Sequence, residues 1–290
     1  MKCGLCPRGC QVDRKAQKGR CGVGDEILVA RAARHMWEEP PISGTKGSGT
    51  VFFSGCNLGC VYCQNFDISH HSKGKMISSE RLSEIFRELA ESGVHNINLV
   101  NPTHYADKIA DILRKEKPSV PVVYNSSGYE RVSTLQSLEG LVDIYLPDLK
   151  YISSERSAKY SGAADYFDFA SEAIIEMKRQ CPESIFDADG IMQRGMIVRH
   201  LVLPENTNQS VKILHWLAEN LGTDTLISIM SQYTPCGNAD KFRELTRKIT
   251  PREYEKVLYA AEDLGFKNIF AQDYNSASES FIPDFDFSGV

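Results

Sequence analysis

Cys56, Cys60 and Cys63 lie in one short segment, Cys56-Asn-Leu-Gly-Cys60-Val-Tyr-Cys63, directly after the apolar run Val51-Phe-Phe-Ser-Gly55. Cysteine thiolates hold iron–sulfur clusters, and a cubane with a full protein shell takes four of them. Three in one tight loop leave one iron without a protein ligand. An open coordination position marks a reactive site, because something else must bind there. A zinc loop or three buried thiols is the plain alternative. The spacing, the aromatic Tyr62 and the strand before the loop favour the cluster. A second set, Cys3, Cys6, Cys10 and Cys21, follows C-x2-C-x3-C-x10-C spacing. Four thiolates suit tetrahedral zinc or a fully ligated cubane, and spacing alone does not separate the two. Cys181 stands alone after a helical pattern and reads as a small buried hydrophobe. Cys236 follows an apolar strand, where a thiol is open to either a ligand or a packing role.

Composition limits the setting. The chain has 290 residues, 42% hydrophobic and 24% charged, with a formal net charge of -5. That suits a soluble globular protein with one sizeable core and a small appendage. No stretch approaches the ~18 consecutive apolar residues of a membrane helix. Met1-Lys-Cys-Gly-Leu-Cys-Pro-Arg8 has no apolar core of signal-peptide type, so a cytoplasmic location is expected. Thiols stay reduced there, and nine cysteines point to metal binding rather than disulfides. The acidic balance, without a basic run, argues against nucleic-acid and membrane partners.

The elements that must position the cysteines alternate. Strands are expected at Thr50–Ser54, Asn96–Val100, Val120–Tyr124, Val142–Leu146, Met196–Leu203 and Leu226–Met230, with a weaker run at Asn268–Ala271. Between them lie helical patterns. Leu82, Ile85, Phe86, Leu89 and Ala90 share one face before Gly93, and Tyr166–Gln180 is a longer helix. Thr250-Pro251-Arg252-Glu253 has the form of a capping box with proline at the first helical position. Strands alternating with helices predict a parallel sheet, and six such units predict an α/β fold, a partial (β/α)6 barrel. Residues 46–290 form this barrel unit with a C-terminal extension. Residues 1–45, joined through Pro40-Pro41-Ile-Ser-Gly44, read as a small cysteine-rich metal-binding module, too small to bury a core without a staple.

Barrel sites gather at the C-terminal ends of the strands. The first strand delivers the cysteine loop there. The others deliver Asn101, Thr103 and His104; Asn125 and Ser127; Asp148 and Lys150; Arg199 and His200; and Gln232. Each has an ordinary turn or ion-pair explanation. Together they describe a rim able to grip a large zwitterionic ligand. The C-terminal Phe281–Val290 mixes aromatics with acids and is expected to pack on the barrel wall or to cover its mouth.

The cysteine loop resembles the signature of the radical S-adenosylmethionine (radical SAM) enzymes. Over residues 49–290 the chain resembles homologues of pyruvate formate-lyase activating enzyme. The resemblance implies a [4Fe-4S] cluster on Cys56, Cys60 and Cys63, with the open iron chelated by S-adenosylmethionine and Tyr62 near the adenine. It implies that Asp148-Leu-Lys150 contacts S-adenosylmethionine, with Asn125, Ser127, Arg199 and His200 as further contacts; Gln232 joins them by its place at the end of the sixth strand. Where the activases show Gly-Gly-Glu after the second strand, this chain has Asn101-Pro102-Thr103, which offers a carbonyl and a hydroxyl instead. The implied chemistry is one-electron cleavage of S-adenosylmethionine to a 5′-deoxyadenosyl radical, which abstracts hydrogen from a substrate. A reductant such as flavodoxin or ferredoxin would supply the electron. The substrate would be a glycine of a glycyl radical enzyme, or else a peptide or small molecule. A non-catalytic iron–sulfur or zinc protein is the reading from another class.

Overall fold

The computed structural model describes residues 2–272 and 283–290. Its strands are β1 (Ile27–His35), β2 (Ser48–Phe53), β3 (Lys75–Ile77), β4 (Ile97–Val100), β5 (Val122–Ser126), β6 (Ile144–Pro147), β7 (Ile185–Phe186), β8 (Met192–Leu201), β9 (Leu226–Met230) and β10 (Ile269–Ala271). Among the described residues they form one ten-stranded sheet in the order β10-β9-β8-β6-β5-β4-β2-β1-β3, with β7 against β8. The run from β2 through β4, β5, β6, β8 and β9 to β10 is parallel throughout. The sheet curls but does not close. All six expected strands are present, and the weaker seventh run is β10, paired to β9 through Ile269 and Ile227.

The helices follow their sequence signals. In Ser79–Glu91 the buried residues are Leu82, Ile85, Phe86 and Leu89, and Ser78 caps the first turn. The capping box at Thr250 is formed: Glu253 N donates to Thr250 Oγ1 at 3.3 Å, and Thr250 N donates to Glu253 Oε2 at 2.8 Å. No described helix is long and apolar enough to cross a membrane.

Strand alternation divides the barrel into two layers. Outward residues such as Val51, Leu99, Tyr124, Tyr145, Val198 and Ile227 pack under the helices. Inward residues are apolar at the strand starts and polar toward the strand ends. Val123, Ile144, Leu146, Ile197 and Leu226 pack around Ile42. Ile42 belongs to a single helical turn, Pro40–Ser43, in which the prolines sit at the first positions because those N–H groups need no partner. This turn plugs the N-terminal end of the barrel.

The run Ile27–Ala33 belongs to β1, which pairs antiparallel with β2 from Val29↔Phe53 to His35↔Ser48. The chain therefore leaves β1 at the barrel floor and turns back into β2. The described part of the C-terminal tail packs on the wall. Phe287 N donates to Ala30 O at 3.0 Å, Ala32 N donates to Ser288 O at 2.9 Å, and Phe285 lies edge-on to Phe52 at 5.5 Å. Residues 281 and 282 lie outside the described residues.

One buried acid in this framework has no cationic partner among its hydrogen bonds. Glu130 accepts from Thr103 Oγ1 at 2.5 Å and from Tyr124 OH at 3.4 Å. Burial pushes its carboxyl up to about 7, against an ordinary value of 4.5. The folded state therefore favours the neutral acid. Its stabilising effect is complete below pH ~4.5 and is lost as pH rises toward ~7, a loss of about 3 kcal/mol. Glu130→Gln should remove that fall. Urea unfolding of both proteins under anaerobic conditions at pH 5 and pH 8 measures it. Equal pH slopes in the two proteins would show that Glu130 ionises at its ordinary value.

Candidate functional site

The cysteine loop begins where β2 ends. Gly55 takes a φ of 88°, a left-handed backbone open to glycine, and an added Cβ would lie 2.7 Å from Cys21 O. Cys56 N then donates to that same carbonyl at 3.1 Å, so the two cysteine segments touch through their backbones. Arg8 clamps the loop from the N-terminal side. Its guanidinium donates to Asn57 O at 2.8 Å, Leu58 O at 3.0 Å, Ser161 O at 3.0 Å and Gly162 O at 2.6 Å. It also lies 5.3 Å over the Tyr129 ring. A rigid-fork cation spanning four carbonyls fixes the loop in a way that packing alone would not.

Cys56, Cys60 and Cys63 line one wall of a cavity of about 670 Å³ inside the barrel. A hydrogen-bond chain reaches them from the helical layer. Tyr62 OH meets Tyr151 OH at 2.7 Å, Tyr151 OH meets Ser161 Oγ at 2.8 Å, and Ser161 Oγ donates to Cys60 Sγ at 3.1 Å. Burial pushes the thiols of Cys56 and Cys60 up, and that of Cys63 to about 12, so a bound cation would be needed to hold them as thiolates. As they stand, no group of three or more His, Cys, Asp or Glu side chains among the described residues closes into a metal-holding cluster. The fit to a three-thiolate cluster rests on the donor set: three thiols from one loop, facing one cavity, with a hydroxyl donor on one sulfur.

Opposite the thiols stands a charged layer. Arg199 Nε donates to Asp148 Oδ1 at 2.8 Å, and its Nη2 donates to Asn125 Oδ1 at 2.6 Å. Lys150 Nζ donates to Asp148 Oδ2 at 2.6 Å. Burial tends to raise the Asp148 carboxyl, but Arg199 and Lys150 outweigh it and hold it below the usual range. The layer owes its shape to register. Asp148 and Arg199 bridge directly across β6 and β8, and Asn125 lies one strand away on the same inward face.

Of the expected ligand contacts, Tyr62, Asn101, Asn125, Ser127, Asp148, Lys150, Arg199 and Gln232 line the cavity. Thr103 and His200 do not. Asn101 adopts a left-handed backbone, φ 59°, and the following turn carries Thr103 under the helices to Glu130. His200 has the opposite parity to Arg199 on β8. It points out of the barrel and bonds Leu149 O at 2.7 Å and Ser210 Oγ at 2.8 Å. His104 is likewise buried outside the cavity, bonded to Ser54 O at 2.8 Å. Cys236 lies against the loop, its Sγ donating to Tyr62 O at 3.2 Å, and Cys181 is buried in the core.

Two residues that sequence reasoning missed enter the site from the floor. Glu38 accepts from Asn98 Nδ2 at 2.8 Å and Asn125 Nδ2 at 3.3 Å, and its Oε2 lies 3.3 Å from Arg199. Glu39 follows, with Oε2 at 3.9 Å from Arg199. Burial raises both carboxyls and Arg199 opposes it. The only available signal was a pair of acids before two prolines, which a linker shows equally well.

Residues 50–217 match the Radical SAM superfamily. An uncharacterized protein of Methanocaldococcus jannaschii is 30% identical over 277 residues, covering 92% of this chain and 76% of that protein. A Haemophilus influenzae protein, provisionally named a glycyl-radical enzyme activating enzyme, is 25% identical over 183 residues, 60% of this chain and 67% of that one. Among solved structures, Streptococcus suis SuiB bound to precursor peptide SuiA shares the fold, with a TM-score of 0.51 at 14% identity over 75% of this chain. The match spans 46% of SuiB, about half its length.

Proposed function

The chain belongs to the radical SAM superfamily, and on that premise we propose that it is an enzyme that abstracts hydrogen from a substrate held inside the barrel. Cys56, Cys60 and Cys63 would hold the [4Fe-4S] cluster, with S-adenosylmethionine over it. When bound, that pair supplies one-electron reductive cleavage of the sulfonium and hydrogen abstraction from carbon. The observation that carries the reading is the convergence of the three thiols, Tyr62 and seven strand-end polar residues on one cavity.

The protein's own groups position and shield. Tyr62 packs edge-on against Tyr233 at 5.9 Å and closes the thiol side of the cavity. Asp148, held by Arg199 and Lys150, presents a fixed carboxylate for hydroxyl or ammonium donors of the ligand. Phe52, Val100 and Met230 supply apolar lining. Asn101 and Ser127 offer an amide and a hydroxyl at the same rim, and the Ser127 hydroxyl has no protein partner. Protein anaerobically reconstituted with iron and sulfide, then mixed with dithionite and S-adenosylmethionine, should yield 5′-deoxyadenosine and methionine. Absence of both products from cluster-loaded protein would overturn the reading.

An activase-like role on a protein glycine is supported by the Haemophilus influenzae relative, and a peptide substrate by the precursor peptide bound to SuiB, which shares the fold. A one-electron carrier would serve as reductant.

Cys3, Cys6, Cys10 and Cys21 are proposed to hold a second metal centre, zinc or an iron–sulfur cluster. Cys6 and Cys21 are buried, Cys3 and Cys10 half-buried, and Arg20 N donates to Cys10 Sγ at 3.2 Å. Four thiolates close either shell, so the centre would be structural or electron-conducting. Metal analysis separates the cases. About four irons with one zinc per chain means zinc, and about eight irons means a second cluster. About four irons and no zinc, in protein whose N-terminus stays ordered, would show that the segment needs no metal.

A further inference from the structure

The cavity wall carries one carboxylate more than its cations can satisfy. Its cations are Lys150 and Arg199; its carboxylates are Asp148, Glu38 and Glu39. Lys150 is taken by Asp148 at 2.6 Å. Arg199 commits Nε to Asp148 and Nη2 to Asn125, and its Nη1 lies closer to Glu38 than to Glu39, 3.3 Å against 3.9 Å. Glu38 is held further by two asparagine amides. Glu39 is only 8% exposed, and its Oε2 has no hydrogen-bond partner. A buried carboxylate oxygen without a donor is costly, and such a group in a cavity calls for a donor from a ligand.

Position separates this oxygen from the thiols. The chain leaves β1 at His35, opposite Ser48 at the start of β2, whereas the cysteine loop follows Phe53 at its other end. Glu39 belongs to the floor turn, just above the Ile42 plug.

We propose that the Glu39 carboxylate binds a cationic group of the substrate, an alkylammonium or a guanidinium, at the floor of the cavity beneath Arg199. The proposal rests on reading the cavity as a radical SAM site with S-adenosylmethionine at the thiol end. An entering cation opposes the burial that raises this carboxyl, holds it ionised and supplies the missing donor, and a charge-assisted bond in a buried site is among the stronger ones available. A neutral hydroxyl or amide would supply the donor without the charge, and an anionic group would be opposed.

The probes are n-butylammonium and n-butylguanidinium, with n-butanol and butyrate as controls. Each is titrated by ligand-observed NMR into anaerobically reconstituted, S-adenosylmethionine-loaded protein. The cations should bind at least about tenfold more tightly than butanol, a difference of ~1.4 kcal/mol. Glu39→Gln should bring them to the level of butanol and leave the affinity for S-adenosylmethionine within about twofold. Glu39→Asp keeps the charge on a shorter stem and should bind the cations with intermediate affinity; it decides the matter if the glutamine variant does not fold. Cations that bind no better than butanol to the unaltered protein overturn the proposal. So does a Glu39→Gln variant that loses S-adenosylmethionine as strongly as it loses the cations, because the carboxylate would then serve the cosubstrate's own charge. Cation binding that depends on Glu39 in a protein unable to cleave S-adenosylmethionine would instead strike the enzymatic reading alone.

Discussion

Changing any one of Cys56, Cys60 or Cys63 to Ala should abolish formation of 5′-deoxyadenosine. The three thiols come from one loop and face one cavity. A cubane held by three protein ligands has no spare donor to replace a lost one. Cys236 lies close, but its Sγ is directed at Tyr62 O and it does not line the cavity. Cys21 touches Cys56 through its backbone carbonyl rather than its sulfur. Neither is placed to substitute. Product formed after reduction is measured by chromatography, with iron content as the parallel readout. Because Arg8 and the Gly55 turn hold the loop from outside, the substituted proteins should keep their far-ultraviolet spectra. Cleavage retained in any of the three variants would remove the basis for placing the cluster on this loop.

Arg199→Ala should be the most damaging change among the charged residues. Among the described residues, Arg199 is the one cation that touches Asp148, Asn125 and Glu38 together. Its removal leaves buried carboxylates facing one another with Lys150 as their remaining cation in the cavity wall. Stripping one partner from a buried pair costs about 3–5 kcal/mol. For a chain of this size that lowers the thermal midpoint by roughly 10 °C. Affinity for S-adenosylmethionine should fall about ten- to a hundred-fold, because Asp148 loses the group that orients it. Arg199→Lys should rescue little, since a point ammonium cannot span three partners as the guanidinium fork does. Arg199→Met combined with Glu38→Gln should recover part of the stability by removing the orphaned charge. An Arg199→Ala protein with unchanged midpoint and unchanged affinity would show that the charged layer neither holds the barrel nor serves the ligand.

Much of this protein is written locally, and local features are what a sequence exposes. The cysteine spacing is a property of eight consecutive residues, Cys56 to Cys63. Strand runs and helix faces repeat at 2.0 and 3.6 residues, so the parallel sheet was legible before any contact was known. Strand parity was only half legible, since it says that two adjacent residues face opposite ways but not which of them faces in. Arg199 and His200 are adjacent on β8, so one of them had to turn outward, and the inward neighbours Asp148 and Asn125 select Arg199. The fate of Thr103 was less accessible, because it depends on the left-handed backbone at Asn101.

Tertiary structure alone decided what closes the barrel floor and what the cavity's charge is. Glu38 and Arg199 are 161 positions apart, and only the return of β1 along β2 carries the acidic pair under the charged layer. The contact of Cys21 with Cys56, and the grip of Arg8 on Ser161 and Gly162, have the same origin. Composition and periodicity register which side chains prefer burial. They do not register which buried charges meet, because that depends on strand order and register. Those are set by the packing of the whole sheet, through contacts between residues far apart in the chain.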